Sequence, residues 1–210
     1  MARNIEAGFG RKRSQEAIQQ RKHAMLKAAI KEFAKKGYAD ADLDHIAGEA
    51  KVGKGTIYRY YFSKEGLFHA VADDAFCRFR DFVFSALQGA EKASALEQIK
   101  ETGRAVLTFF DENRVLVEIF LHERSQFRGM IHSKYLRLYS DHIHVFEDLV
   151  ESCMRQGVIR RMDPRKLLDI VGDMLVGLVY MWGVRREKEP LVQKWSLVEE
   201  TIFKGILMTR

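Results

Sequence analysis

The stretch Asp42-Leu-Asp-His-Ile-Ala-Gly-Glu-Ala-Lys-Val-Gly-Lys-Gly-Thr-Ile-Tyr-Arg-Tyr-Tyr61 decides how this chain is read. Asp42 can accept hydrogen bonds from the exposed N–H groups of a first helical turn. Behind it Leu43, Ile46, Ala47 and Ala50 fall at helical spacing. After three or four residues a second short helix begins near Gly53 and ends by Phe62. Two helices of about two turns joined by so short a turn match a helix-turn-helix. The second helix is unusually polar: Lys54, Thr56, Tyr58, Arg59 and Tyr60 are all donors with reach, and only Ile57 is plainly a core residue. Gly53 and Gly55 keep its N-terminus bare, so phosphate oxygens or base edges can approach the backbone N–H groups. A helix that only packed would need neither feature, since glycine inside a helix costs about 1 kcal/mol relative to alanine.

Outward from this motif, the sequence predicts helices throughout. Ile18, Met25, Leu26, Ala29, Ile30 and Phe33 recur at intervals of three and four from Ser14 to Lys36, and Gly37 stands where a C-cap glycine belongs. Ser63 caps a long fourth helix to about Leu87. Further helices are expected over 94–112, 114–127 and 130–156, then from Pro164 behind the N-cap Asp163 to Gly183, and from Leu191 to Met208. No run of alternating residues argues for a strand. The fold class is all-α with about nine helices: residues 1–13 as a flexible basic arm, 14–65 as a three-helix DNA-binding domain, and 66–210 as a larger effector-binding and dimerisation domain.

Composition narrows the function. Residues 1–65 carry 14 Lys and Arg against 8 Asp and Glu, whereas residues 66–210 carry 21 of each. The whole excess of +6 sits on the segment that holds the motif, the electrostatic footprint of a polyanion binder. The first residues lack the apolar stretch of a signal peptide, and the longest charge-free apolar run, Met174 to Val184, falls short of the roughly 18–20 residues of a membrane span. Cys77 and Cys153 fit neither a disulfide framework nor a metal site. No nucleophile elbow, phosphate loop or dinucleotide fingerprint is present, so no catalytic residue, metal or cofactor is expected. The expected setting is the cytoplasm, away from membranes.

The segment Gly37-Tyr38 … Ile46-Ala47 … Val52-Gly-Lys-Gly-Thr-Ile-Tyr-Arg-Tyr-Tyr-Phe-Ser-Lys-Glu-Gly-Leu67 resembles the DNA-binding domain of TetR-family repressors over some fifty residues. The resemblance implies roles residue by residue: Lys54 reaching base edges, with Gly55 permitting close approach, and Thr56, Tyr58 and Tyr60 on phosphates. Arg59 would read a guanine or grip the backbone, and Lys64 would contact phosphate. It also implies a repressor that binds palindromic double-stranded operator DNA as a homodimer and is released by a small molecule. Two positions depart from the family pattern. Lys51 stands in place of the turn glycine, so either it adopts a left-handed conformation at a cost of about 1 kcal/mol or the turn differs. Gly53 replaces the usual serine cap. His45 takes a position that is often acidic, and is expected to face solvent.

In the larger domain the 130–156 helix would turn Tyr135, Leu138, Tyr139, His142, Val145, Phe146, Leu149 and Cys153 inward, with Phe109, Phe110, His122 and Glu123 on preceding helices. A hydrophobic or aromatic effector is expected among Phe110, His122, Tyr135, Tyr139, His142 and Phe146. The competing reading makes His142 and Tyr139 ordinary core residues. The last two helices are apolar around much of their circumference: Leu167, Leu168, Val171, Leu175, Leu178, Val179 and Trp182 on one, Leu191, Trp195, Val198, Ile202, Phe203 and Ile206 on the other. They form either a four-helix dimer interface, with Gly172 and Gly177 allowing close contact, or the monomer's own core. The fourth helix, which leaves the motif and continues toward the effector helices, is the expected lever between ligand and DNA.

Overall fold

The computed structural model describes the backbone of residues 2–119 and 130–206, and side chains for residues 15–119 and 140–204. The described residues form helices α1 (Ala2–Asp40), α2 (Leu43–Glu49), α3 (Lys54–Tyr61), α4 (Lys64–Gly89) and α5 (Ala95–Glu112). They continue in α6 (described over 114–119), α7 (Met130–Arg155), α8 (Pro164–Val184) and α9 (Trp195–Ile206). The all-α expectation holds. The helical backbone begins at Ala2, where a flexible arm was expected to extend to residue 13. The segment has no proline, and Gly8 and Gly10 weaken a helix without breaking it. Gly37, at φ 74°, interrupts α1 where the cap was expected.

The chain divides into two compact units, residues 1–75 and 76–210, so the boundary falls inside α4 rather than before it. The cause is the apolar face of the first turns of α4. Leu67, Phe68 and Val71 close a core with Met25, Ala29 and Phe33 of α1, Ile46 of α2 and Ile57 of α3, all essentially inaccessible to water. Phe68 meets Phe33 edge-on at 5.1 Å, and Tyr38 at 5.5 Å. Burial on this scale is worth roughly 1.5–3 kcal/mol per large side chain.

Beside this core lies a buried carboxylate. Glu32 of α1 is 2% exposed and accepts from Lys36 Nζ at 2.8 Å, from His45 Nδ1 at 2.8 Å and from the Asp42 N–H at 3.2 Å. His45 is exposed, as expected, yet its Nδ1 is committed to this contact across α1 and α2. Burial pushes the Glu32 carboxyl up, but the Lys36 and Asp42 hydrogen bonds and the charges of His45 and Lys36 together hold it below the ordinary carboxylate range.

In the second unit Leu107 of α5, Val117, Cys153 of α7, Leu175, Val179 and Trp182 of α8, and Trp195, Val198 and Phe203 of α9 share one core. Burial also raises the Cys153 thiol's pKa. Asp163 caps α8 through Lys166 N, as its sequence predicts, and Ser94 caps α5 through Glu97 N. The last expected helix opens instead as a short 3-10 turn over Leu191–Lys194. The Asp111 carboxylate accepts the Leu191 and Val192 N–H groups there at 2.7 and 3.0 Å.

Most residues expected at a dimer interface belong to this internal core. Leu175, Val179, Trp182, Leu191, Trp195, Val198 and Phe203 are buried, and Leu167, Val171, Leu178 and Ile202 pack against them. A different stripe of α8 faces outward: Ile170, Val176, Tyr180, Met181 and Val184, with Leu197 of α9. α8 has the length and composition to cross a membrane, but its inner face is taken up by that core.

Candidate nucleic-acid interface

The site is built on three short stretches of the first unit. Asp42, extended at φ −107°, caps α2 by accepting the Asp44 N–H at 2.8 Å, which holds its carboxyl below the ordinary range. The chain then turns through Lys51, which lies at φ 54°. This resolves the open question at that position: the lysine adopts the left-handed conformation, and the turn keeps the geometry a glycine would give it. Gly53 starts α3 in an extended conformation and no side chain caps the helix. A Cβ added at Gly53 or Gly55 would meet nothing within 4 Å. The fold itself therefore places no steric demand on either glycine.

Ile57 anchors α3 in the core, and the remaining expected residues share its outer surface. Lys54, Gly55, Tyr58 and Arg59 are exposed, while Thr56 and Tyr60 are half-buried. The Tyr60 ring has Arg59 on it at 5.4 Å and Lys22 of α1 at 5.6 Å, a cation–π arrangement that keeps two positive charges beside α3. Lys64 is turned inward, its Nζ donating to the Ala39 carbonyl at 2.8 Å and lying 5.1 Å from the Tyr38 ring. Lys54 is not free either, since its Nζ meets Asp44 Oδ2 at 2.7 Å. Sequence reading missed Lys22 and Asp44 because both act from other helices; only the predicted amphipathic register of α1 and α2 hinted at their faces.

The expected effector residues are only partly within view. His122 lies outside the described residues, and Tyr135 and Tyr139 sit on α7 with side chains outside them. Phe110, His142 and Phe146 are described and half-buried. His142 meets Phe84 of α4 edge-on at 5.2 Å, and Phe146 lies 6.1 Å from the same ring. Phe110 stands 5.5 Å from Phe79 of α4 and 5.3 Å from Phe109. Phe79 and Phe84 were not among the expected effector residues, because these were sought only between residues 94 and 156. Among the described residues no cluster of His, Cys, Asp or Glu could hold a metal ion.

Two family models match the chain. Residues 25–71 match the bacterial regulatory proteins of the tetR family, and residues 92–182 match the tetracyclin repressor-like C-terminal domain. The chain belongs to the TetR family. It is a helix-turn-helix DNA-binding transcriptional regulator, with α2 and α3 as the two helices of the motif. The HTH-type transcriptional repressor DhaR of Mycobacterium sp. (strain GP1) is 24% identical over 172 residues, 81% of this chain and 86% of that protein. Among solved structures, the regulator FadR from Bacillus subtilis in complex with stearoyl-CoA aligns with a TM-score of 0.74 at 20% identity, over 88% of this chain and 98% of that one. A TetR transcription regulator from Haloarcula marismortui aligns with a TM-score of 0.75 at 18% identity, over 90% and 100%. At such identities the likeness of these structures carries the fold alone.

Proposed function

We propose that this TetR-family regulator is a homodimeric repressor that reads palindromic double-stranded operator DNA through α3 and releases it when a hydrophobic small molecule binds the second unit. The observation that carries this reading is the outer surface of α3, where donor side chains surround two glycines that the packing does not require. Lys54 reads base edges. Gly53 and Gly55 admit the DNA, Arg59 grips it, and Thr56, Tyr58, Tyr60 and Lys64 hold phosphates, the last by giving up its contact with Ala39. Phosphate contacts set affinity and salt dependence, and base contacts set discrimination.

The dimer forms through the outer stripe of α8 with Leu197, an apolar surface that a helix in water otherwise leaves unburied. The effector lies among Phe110, His122, Tyr135, Tyr139, His142 and Phe146, with Phe79 and Phe84 of α4 adding apolar surface. Because α4 contributes to both units, a ligand that shifts its position alters α3 in turn. The stearoyl-CoA bound by the FadR structure makes long-chain acyl thioesters the first class to try. The ligand must favour the released state, and by linkage operator DNA must weaken ligand binding equally.

The test is a binding series on an operator selected from a random duplex library. Lys54→Ala should lower discrimination between operator and scrambled duplex by about 1–3 kcal/mol, whereas Tyr58→Phe should weaken both duplexes alike. If neither variant changes binding, α3 is not the reading helix. Acyl thioesters and aromatic acids are then screened by thermal shift, where a ligand at about a hundred times its Kd adds about 2.7 kcal/mol. Hits that leave the operator bound would refute release by the effector.

A further inference from the structure

The ion pair between Lys54 and Asp44 is unexpected on a surface that meets a polyanion. Lys54 opens α3, Asp44 stands in the first turn of α2, and their charged ends meet at 2.7 Å across the turn of the motif. Both side chains are largely exposed, 44% and 66%, so the pair adds little to the stability of the fold. The Asp44 backbone is fixed in the first turn of α2, where its N–H donates to the Asp42 carboxylate at 2.8 Å. The Asp44 carboxylate repels phosphate and occupies the Lys54 ammonium at the start of α3.

We propose that Asp44 is a specificity-determining residue that acts by holding Lys54. This rests on the reading of α3 as the base-reading helix. An ammonium has three N–H donors and no acceptor. On non-cognate DNA, a Lys54–phosphate contact exchanges one anion for another and gains little. At the operator, the ammonium keeps one donor on Asp44 and points the others at the N7 and O6 acceptors of a guanine. Asp44 thus subtracts Lys54 from sequence-independent attraction and leaves it available for the base edge. It is a positioning residue and touches no DNA itself.

The test measures anisotropy titrations of the full-length chain on the selected operator and on a scrambled duplex of equal length, over a range of KCl concentrations. Asp44→Asn keeps the size of the side chain and removes its charge. It should tighten the scrambled duplex by about tenfold, leave the operator within about threefold, and steepen the salt slope on the scrambled duplex by about one. Asp44→Glu should restore discrimination. In a Lys54→Ala background Asp44→Asn should change the two duplexes equally, since no ammonium remains to be held. Asp44→Ser, also uncharged, checks that the effect does not come from a disturbed α2, and the thermal midpoints of all variants are compared. Equal tightening on both duplexes in the wild-type background would overturn the proposal and leave a bulk charge effect. A loss of discrimination that persists without Lys54 would overturn it in favour of direct reading by Asp44. Full discrimination in Lys54→Ala alone would refute base reading by Lys54, on which the proposal stands, a failure visible before any Asp44 variant is made.

Discussion

Gly55 occupies the first turn of α3 with open space where a Cβ would stand. Alanine there costs nothing in packing and removes the backbone freedom that glycine loses on folding, so Gly55→Ala should stabilise the chain by up to about 1 kcal/mol. The same methyl group would stand between the helix N-terminus and the DNA, and binding should weaken by about tenfold. The measurement is a melting curve beside a DNA titration of one variant. A rise in stability with unchanged DNA binding would show that DNA does not approach the backbone here. Gly66 presents the opposite case: a Cβ would come within 2.0 Å of the Tyr61 carbonyl oxygen, so its reason lies inside the fold. The sequence presents both as glycines at helix starts, and only their surroundings tell them apart.

At the scale of elements, the join between α1 and α2 depends on Glu32. An amide in its place would turn an NH2 toward Lys36 or His45, so Glu32→Gln should cost about 1–3 kcal/mol near neutral pH. The sign of the pH dependence follows from the lowered carboxyl. Its ordinary value is 4.5, and the folded chain binds that proton only at lower pH than the unfolded chain does. The stabilisation is therefore complete above that ordinary value and is lost as pH falls through the folded one. Thermal midpoints followed from about pH 6 to about pH 3 should fall more steeply for the wild type than for Glu32→Gln. Parallel curves would assign the acid sensitivity to other carboxyls. His45 was legible as an exposed first-turn residue, but its contact with Glu32 was not, because the two are brought together only when α2 packs on α1.

For the whole molecule, the proposed dimer is tested at the outer stripe of α8. Replacing Ile170 and Val176 with glutamate puts charge on exposed positions and leaves Leu175, Val179 and Trp182 untouched. The wild type should scatter light at about twice its chain mass of 24.3 kDa and the double variant at the chain mass itself. Operator binding should collapse with dimerisation, since two recognition helices must span half-sites about 34–36 Å apart. A wild type that scatters as a monomer at micromolar concentration would remove both the dimer and the palindromic operator.

Local rules determined most of what this chain is. Helical periodicity, the caps at Asp42, Ser63 and Asp163, and the donor-rich run from Lys54 to Tyr60 act within a few residues of one another, so helix order, fold class and the helix-turn-helix could be taken from the sequence alone. Tertiary structure decided what depends on which faces meet. It divided the apolar circumference of α8 into an inner face around Trp182 and an outer one around Ile170 and Val176. It moved the unit boundary into α4, brought Phe84 to His142, and paired Lys54 with Asp44 and Glu32 with His45. A helix that is apolar all round, or a charge on an exposed turn, has several possible neighbours in the sequence. Packing selects one, because each buried face must be filled and each buried charge must find its partner.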